Sequence, residues 1–552
     1  MQKQISIPAL FILLSLGACG SGSSSPPPSP PPPPPPPPAA TGPVYTPGVY
    51  ESASEFIGQC EVVRTGVDIE GNAYTDEPGS TLIEKFWLRS WTDETYLWPE
   101  DVRDLDPNDT ASRTDYFQLL KSTEITESGE EKDDFHFSQS TEAYLAAINS
   151  AGSAGYGASY AVFSTTPPRD FRIRYTEPGS PAAETVMDIT NLNRGTRILE
   201  VDGVDLLNAN SQAEIDTLNA GLFPPTIDEA HTFLVQDVGA ADTREITLIS
   251  ANIAPAPVNR TEIISTPTGD VGYILFNTFS TFSSEKAIAD AMEDVQMAGV
   301  EDLVLDLRYN GGGLIAVAAQ LGYMIAGPDQ TDGRNFSVLK FNDAAGNRNP
   351  VTGNFNDPTP FYDIGLDFSV PFGTPLPRLD LGRVFILSTG RTCSASEAVI
   401  NGLRGIDVEV ILIGDITCGK PYGFYPTDNC GETYYTIQFE TVNDLEEGGY
   451  SDGFVPDNSS FEFGVRQQGC VVADDFTREL GEPEEGLLAA ALDYRETGTC
   501  PALPEMVSSL TASSSEKLGA GEGLPLRESA LSEAEQILQN NLDPTMPGDT
   551  RN

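Results

Sequence analysis

The residues best suited to chemistry gather in one stretch. "TCSASEAVINGL" (392–403) follows a strand-like apolar run, Arg383 to Leu387, and has the apolar spacing of a helix. A serine where a strand turns into a helix is either a helix cap or a nucleophile. A nucleophile needs a base. The chain has 2 histidines, His136 and His231. Both lie well before this stretch, so a Ser-His-Asp triad would have to recruit one of them across domains. A lysine can serve instead when burial lowers its pKa, because the neutral amine accepts a serine proton. Lys420 stands in "GDITCGKPYGF" (414–424), after a buried-strand run and beside a cysteine. A lysine is conspicuous there, in a chain with 31 Lys and Arg against 82 Asp and Glu. Taken alone, it reads as a surface-loop lysine.

The elements that would position these residues alternate between strand and helix. Strand patterns cover 271–280, 302–313 ("DLVLDLRYNGGG", breaking into a glycine turn), 383–389, 408–415 and 433–443. Helical patterns cover 283–299, 314–327, the segment after Ala395, and 484–494. Such alternation implies βαβ units around a mostly parallel sheet. Upstream, residues 80–98 carry Leu82, Ile83, Phe86, Trp87 and Trp91 at helical spacing, a packing face. Glu124 to Asp134 reads as an acidic loop. His136 and His231 read as structural or surface residues.

Residues 152–255 differ in texture. "GYGASYAV" (155–162), "DFRIRYTEPGSPAAE" (170–184) and "LNRGTRILEVDGVDL" (192–206) precede a helical stretch at 211–222 and a closing strand at 244–250. This order resembles a PDZ domain. The resemblance places a peptide carboxylate at the loop Gly155, Tyr156, Gly157, Ala158, where backbone N–H groups receive the anion and the peptide extends a sheet edge. Further on, "LVLDLRYNGGG", "TCSASEAVINGL" and "VILIGDITCGKPYG" occur in that order after the PDZ-like segment. As a set they resemble the carboxyl-terminal processing, or tail-specific, proteases, a Ser–Lys family, over roughly residues 80–500. The resemblance implies Ser394 as nucleophile and Lys420 as its base. It also implies an oxyanion hole from the backbone N–H of Ala395 and of a glycine in 311–313, Gly312 foremost. Ser396 lies two residues inside the helix and would point elsewhere; Glu397 favours the helix start electrostatically. One departure stands out. Many members carry Gln four residues after the lysine to orient it, and here that position is Phe424. Gln438, on the next strand, is the candidate substitute, and disulfides at Cys393 and Cys418 are another way to brace the two loops.

The 552 residues suffice for roughly three or four domains. A net charge of −51 argues against nucleic-acid binding, which needs clustered cations. "MQKQISIPALFILLSLGAC" (1–19) resembles a bacterial lipoprotein signal, with Leu16 to Cys19 as its lipobox and Cys19 as the lipid-bearing residue. The proline run that follows favours an extended stalk. Of 7 cysteines, those other than Cys19 form an even set suited to disulfides in an exported chain. The short loop between them favours Cys418–Cys430. No cysteine or histidine spacing suggests a metal, and no cofactor is expected.

The expected fold is a multidomain α+β chain. It comprises a signal peptide (1–19), a Pro-rich linker (20–44), a helical N-terminal region (45–151), a PDZ-like β-domain (152–255), an α/β (βαβ) protease core (256–504) and a flexible tail (505–552). The expected function is that of a lipid-anchored serine endopeptidase of the bacterial cell envelope, facing the periplasm, which takes protein substrates by their C-termini. The alternative is a peptide-tail-binding lipoprotein that acts as an adaptor. Oligomeric state is not encoded in any motif.

Overall fold

Parallel strands carry the core. The computed structural model describes residues 42–149, 152–164 and 167–501. The signal peptide with Cys19, nearly all of the Pro-rich linker and the 505–552 tail lie outside the described residues. In the core, a six-stranded sheet runs in the order Val258–Thr266, Gly269–Phe276, Asp302–Asp306, Arg383–Ser388, Glu409–Gly414, Gly469–Val471. The first pair is antiparallel and every later pair is parallel. The central strands are apolar along nearly their whole length because both sheet faces are covered. Helices Ser283–Ala298, Ile315–Ala326 and Ala395–Arg404 bury their apolar stripes in one cluster. Helix Gly486–Thr497 covers the other face through Leu487, Leu488, Ala490 and Ala491.

Three loops leave the carboxyl ends of three adjacent parallel strands, Asp302–Asp306, Arg383–Ser388 and Glu409–Gly414, the usual place for a site in an open α/β sheet. They contain the 310–313 glycine turn, Ser394 and Lys420. The single strand expected over 433–443 is instead two, Glu432–Tyr435 and Phe439–Val442, which join different sheets. Thr436 to Gln438 form the break between them.

The N-terminal region is only partly helical. Helix Thr81–Thr95 begins at Ser80, whose side chain accepts from the Ile83 N–H. Its Trp87 and Trp91 rings stack at 5.1 Å, which makes the aromatic stripe the packing face its spacing suggests. Shorter helices follow at Arg113–Phe117 and Thr141–Ile148. Between them, strand Phe137–Ser140 pairs with Glu432–Tyr435, so this region adds an edge to the core's own hairpin.

Residues 158–249 form an antiparallel sheet ordered Arg244–Ile249, Ala230–Gln236, Arg197–Val201, Asp170–Thr176, Ala158–Ser164. The turn Asp202-Gly203 has positive φ at both residues, which suits a two-residue hairpin connection to Val204. Helix Gln212–Leu222 starts with a capping box between Ser211 and Glu214. An ionic cluster joins this sheet to the core. Arg194 donates to Asp474 at 2.7 Å and to the Tyr309 hydroxyl at 2.9 Å. Arg308, fully buried, donates to Asp306 at 2.6 Å, Glu485 at 2.7 Å and Asp474 at 3.0 Å.

All six described cysteines are paired, and the expected Cys418–Cys430 bridge is absent. The bridges are Cys60–Cys430, Cys393–Cys418 and Cys470–Cys500. Nearness in sequence misleads here, because the chain after Cys418 runs out through Tyr422–Gly423 and turns at Cys430 in the hairpin beneath the N-terminal region. Parallel neighbours, by contrast, set the loops of Cys393 and Cys418 side by side.

Candidate active site

Ser394 is held in an uncommon conformation. It stands immediately before helix Ala395–Arg404 with φ 54° and ψ −113°, a region that side-chain-bearing residues adopt only when their surroundings enforce it. Those surroundings are visible. The Cys393 N–H donates to the Asn310 carbonyl at 3.1 Å, and the Cys418 N–H donates to the Thr392 carbonyl at 3.0 Å. The Cys393–Cys418 bridge fastens the residue before Ser394 to the loop of Lys420. Ser396 is spoken for: its hydroxyl is buried and donates to the Asn310 carbonyl at 3.0 Å.

Glu397 binds the two loops together. Its Oε2 accepts from the Ser394 N–H at 3.0 Å and the Lys420 N–H at 2.8 Å. Its Oε1 accepts from the Gly419 N–H at 2.9 Å and the Thr417 hydroxyl at 2.6 Å. The carboxyl is fully buried, and burial pushes its pKa up to about 7 against the pull of these donors. The helix-start reading of Glu397 was therefore too small. A Glu three residues after an N-cap serine is a capping-box signal, but its partners on the 417–420 loop had no local signature.

Lys420 is buried, with 1% of its surface exposed. Desolvation brings its pKa down from 10.5 to about 7, opposed by the charges of Asp133 and Glu397. Its ammonium nitrogen lies 4.2 Å from the ring centroid of Phe424 and 4.7 Å from that of Phe135. Gln438, the expected orienting residue, is turned elsewhere. Its Oε1 accepts from the Tyr425 N–H at 2.7 Å, and its Nε2 points to the Thr95 hydroxyl at 3.5 Å. It sits in the break between two strands, facing helix Thr81–Thr95 rather than the lysine.

The glycine turn closes the site from the third loop. At Gly312, where φ is +103°, a Cβ would lie 2.7 Å from the Ser394 Cβ and 2.8 Å from the Ala395 nitrogen. No side chain fits there. The Gly312 N–H, however, donates to Asn310 Oδ1 at 2.9 Å, while Asn310 Nδ2 donates to the Phe276 carbonyl at 2.8 Å. Of the two expected oxyanion donors, then, Gly312 has its N–H occupied and contributes close approach. The Ala395 N–H has no acceptor among the described residues and lies at a helix start.

Both histidines are structural. His136 is buried between the Phe117 carbonyl (2.9 Å) and the Thr436 hydroxyl (3.1 Å), and burial holds its pKa down at about 4. His231 pairs with Asp202 at 2.6 Å in the antiparallel sheet. In the Gly155 to Ala158 loop, Tyr156 is buried, with its hydroxyl donating to the Gly221 carbonyl at 3.0 Å. Gly157 has φ +76°, and a Cβ there would meet Ser180 at 2.3 Å. Any anion at this loop would meet backbone rather than the tyrosine ring.

Residues 270–428 match the model of peptidase family S41. A carboxyl-terminal-processing protease of Synechocystis sp. is 31% identical over 137 residues, which span 25% of this chain and 30% of that relative's length. The crystal structure of a putative S41 protease from Bacteroides fragilis superposes with a TM-score of 0.57 at 22% identity, covering 75% of this chain and 97% of that one. A photosystem II D1 C-terminal processing protease reaches a TM-score of 0.38 at 18% identity, over 69% of this chain and 93% of that one. The match to peptidase family S41 covers the segment that contains the glycine turn, Ser394 and Lys420.

Glu397→Gln replaces one acceptor oxygen by an NH2 group that faces donors. It is expected to cost about 2–4 kcal/mol, read as a lower midpoint in chemical denaturation.

Proposed function

We propose, with residues 270–428 as a peptidase family S41 segment, that this chain is a serine endopeptidase working through a Ser394–Lys420 dyad. The observation that carries the reading is the Glu397 clasp, which takes the backbone N–H of both residues on one carboxylate oxygen. The neutral Lys420 amine removes the Ser394 hydroxyl proton as the oxygen attacks the scissile carbonyl carbon. The Ala395 N–H receives the oxyanion at the start of its helix. The protonated amine then gives its proton to the leaving nitrogen, and the acyl-enzyme forms. In the second half, Lys420 takes a proton from water as the hydroxide attacks the ester carbonyl, then returns it to the Ser394 oxygen as that C–O bond breaks and the acid product leaves. The adaptor alternative gives no reason for a strained serine and a desolvated lysine on adjacent loops.

The sheet of residues 158–249 supplies the substrate-capture part of this proposal. As a PDZ-like module it would hold a substrate C-terminus at the Gly155 to Ala158 backbone, while Cys19 would carry lipid and hold the enzyme on a membrane of the cell envelope facing the periplasm.

Cleavage of an unfolded test protein decides the central claim. Ser394→Ala abolishes it while the fold is retained; equal cleavage by wild type and variant would end the dyad reading. Activity rises with pH through about 7, where Lys420 loses its proton, and it is lost as pH falls through that value. Lys420→Arg, which keeps the charge but cannot deprotonate, loses at least about 100-fold in kcat. Amidating a substrate's C-terminus raises its KM, measured against the free acid, if the carboxylate loop is used. Mass spectrometry of the mature N-terminus finds a lipid-bearing Cys19, and Cys19→Ala leaves the protein in the soluble fraction.

A further inference from the structure

The Lys420 side chain ends between two rings. Phe424, fully buried, and Phe135, half-buried, lie 4.2 and 4.7 Å from its nitrogen at their centroids, well inside the distance at which a ring face attracts a cation. Each ring is fixed by its own neighbours. Phe424 meets Tyr435 at 5.3 Å and Phe137 at 6.1 Å, both edge-on. The Phe135 N–H donates to Asp133 Oδ1 at 3.2 Å, and its side chain packs against the cluster of Tyr96, Tyr422 and Ile437. Phe424 occupies the position where the protease resemblance leads one to expect Gln, and Gln438 does not stand in for it.

We infer that Phe135 and Phe424 are positioning residues, an aromatic clamp that fixes the Lys420 amine for its work on Ser394. The inference rests on the dyad reading for its purpose and on the ring geometry for its content. Ring faces on two sides limit the swing of a four-carbon chain. They also exclude water from the nitrogen. Once the amine is neutral, its lone pair remains available to a hydroxyl proton. The charged groups acting on Lys420 are Asp133, on the same N-terminal segment as Phe135, and Glu397, on the serine helix. His136, next to Asp133, is neutral at working pH. The clamp means that the base is completed by the N-terminal region, outside the segment that carries the family match.

The test uses the whole chain. Phe424→Leu keeps an apolar group and removes the ring. The Lys420 titration is followed by NMR of protein labelled at lysine Cε, with its signal assigned by its absence in Lys420→Met. Losing one ring face removes stabilisation of the ammonium, so the midpoint falls by about half to one pH unit. The plateau kcat falls about tenfold or more through misplacement, with KM within about threefold. Were Phe424 mere packing, its loss would admit water and raise the midpoint, or leave it unmoved; either result overturns the clamp. Phe135→Leu, at a half-buried position, repeats the test should the Phe424 variant fail to fold. Because the NMR midpoint needs no proteolysis, a lowered midpoint in a protein that cleaves nothing upholds the clamp and removes the protease reading instead.

Discussion

Four donors from two loops converge on the Glu397 carboxylate, and the arrangement of the site follows from that convergence. A carboxylate with no exposed surface is costly unless it is hydrogen-bonded. Glu397 therefore stays inside only while the Ser394 turn and the 417–420 loop both present their N–H groups to it. The two loops in turn direct those four donors to this one carboxylate. Serine helix, lysine loop and carboxylate are mutually conditional, and the Cys393–Cys418 bridge adds a covalent tie across the same seam. The glycine turn enters through backbone alone, by the Cys393 N–H and the Ser396 hydroxyl on the Asn310 carbonyl.

What could be read from the sequence was whatever has a local cause. Strand 302–306 and its neighbours are apolar on both faces, so their runs were unbroken. The helices at 283–298 and 315–326 show their stripe in the residue spacing. The Ser394 and Lys420 loops were legible because three short motifs in order are more specific than any one of them. Features with distant causes were hidden. Glu397 bonds to residues twenty and more positions away. Cys430 pairs with Cys60 across most of the chain. Gln438 was placed near Lys420 because one long strand was expected where the chain breaks at Thr436. Asp133, in the stretch that reads as an acidic loop, and Phe135, just beyond it, reach the lysine from the N-terminal region. The Gly312 N–H was assigned outward because nothing in "YNGGG" says that Asn310 folds back to take it.

Burial does opposite things to two groups at the centre of this site. Lys420 and Glu397 begin six pH units apart and are both brought to about 7, the one from above and the other from below. Hydrogen bonds from four donors favour the Glu397 carboxylate against its burial, and the charges of Asp133 and Glu397 favour the Lys420 ammonium against its own.

The ionic joint between the antiparallel sheet and the core has a consequence for movement. Asp306, Glu485, Asp474 and Arg308 all belong to the core, and only Arg194 is supplied by the neighbouring sheet. If the two parts separate, the core keeps its own counter-ions, while Arg194 and Arg174, whose guanidinium lies 5.0 Å from the Tyr309 ring centroid, leave with the sheet. The same contact carries aromatic surface, with Tyr175 stacked on Tyr309 at 6.0 Å and Phe163 against Phe476 at 5.1 Å. Separation would uncover those rings together with the buried Arg194 pair, and a pair buried to this degree is little screened by salt.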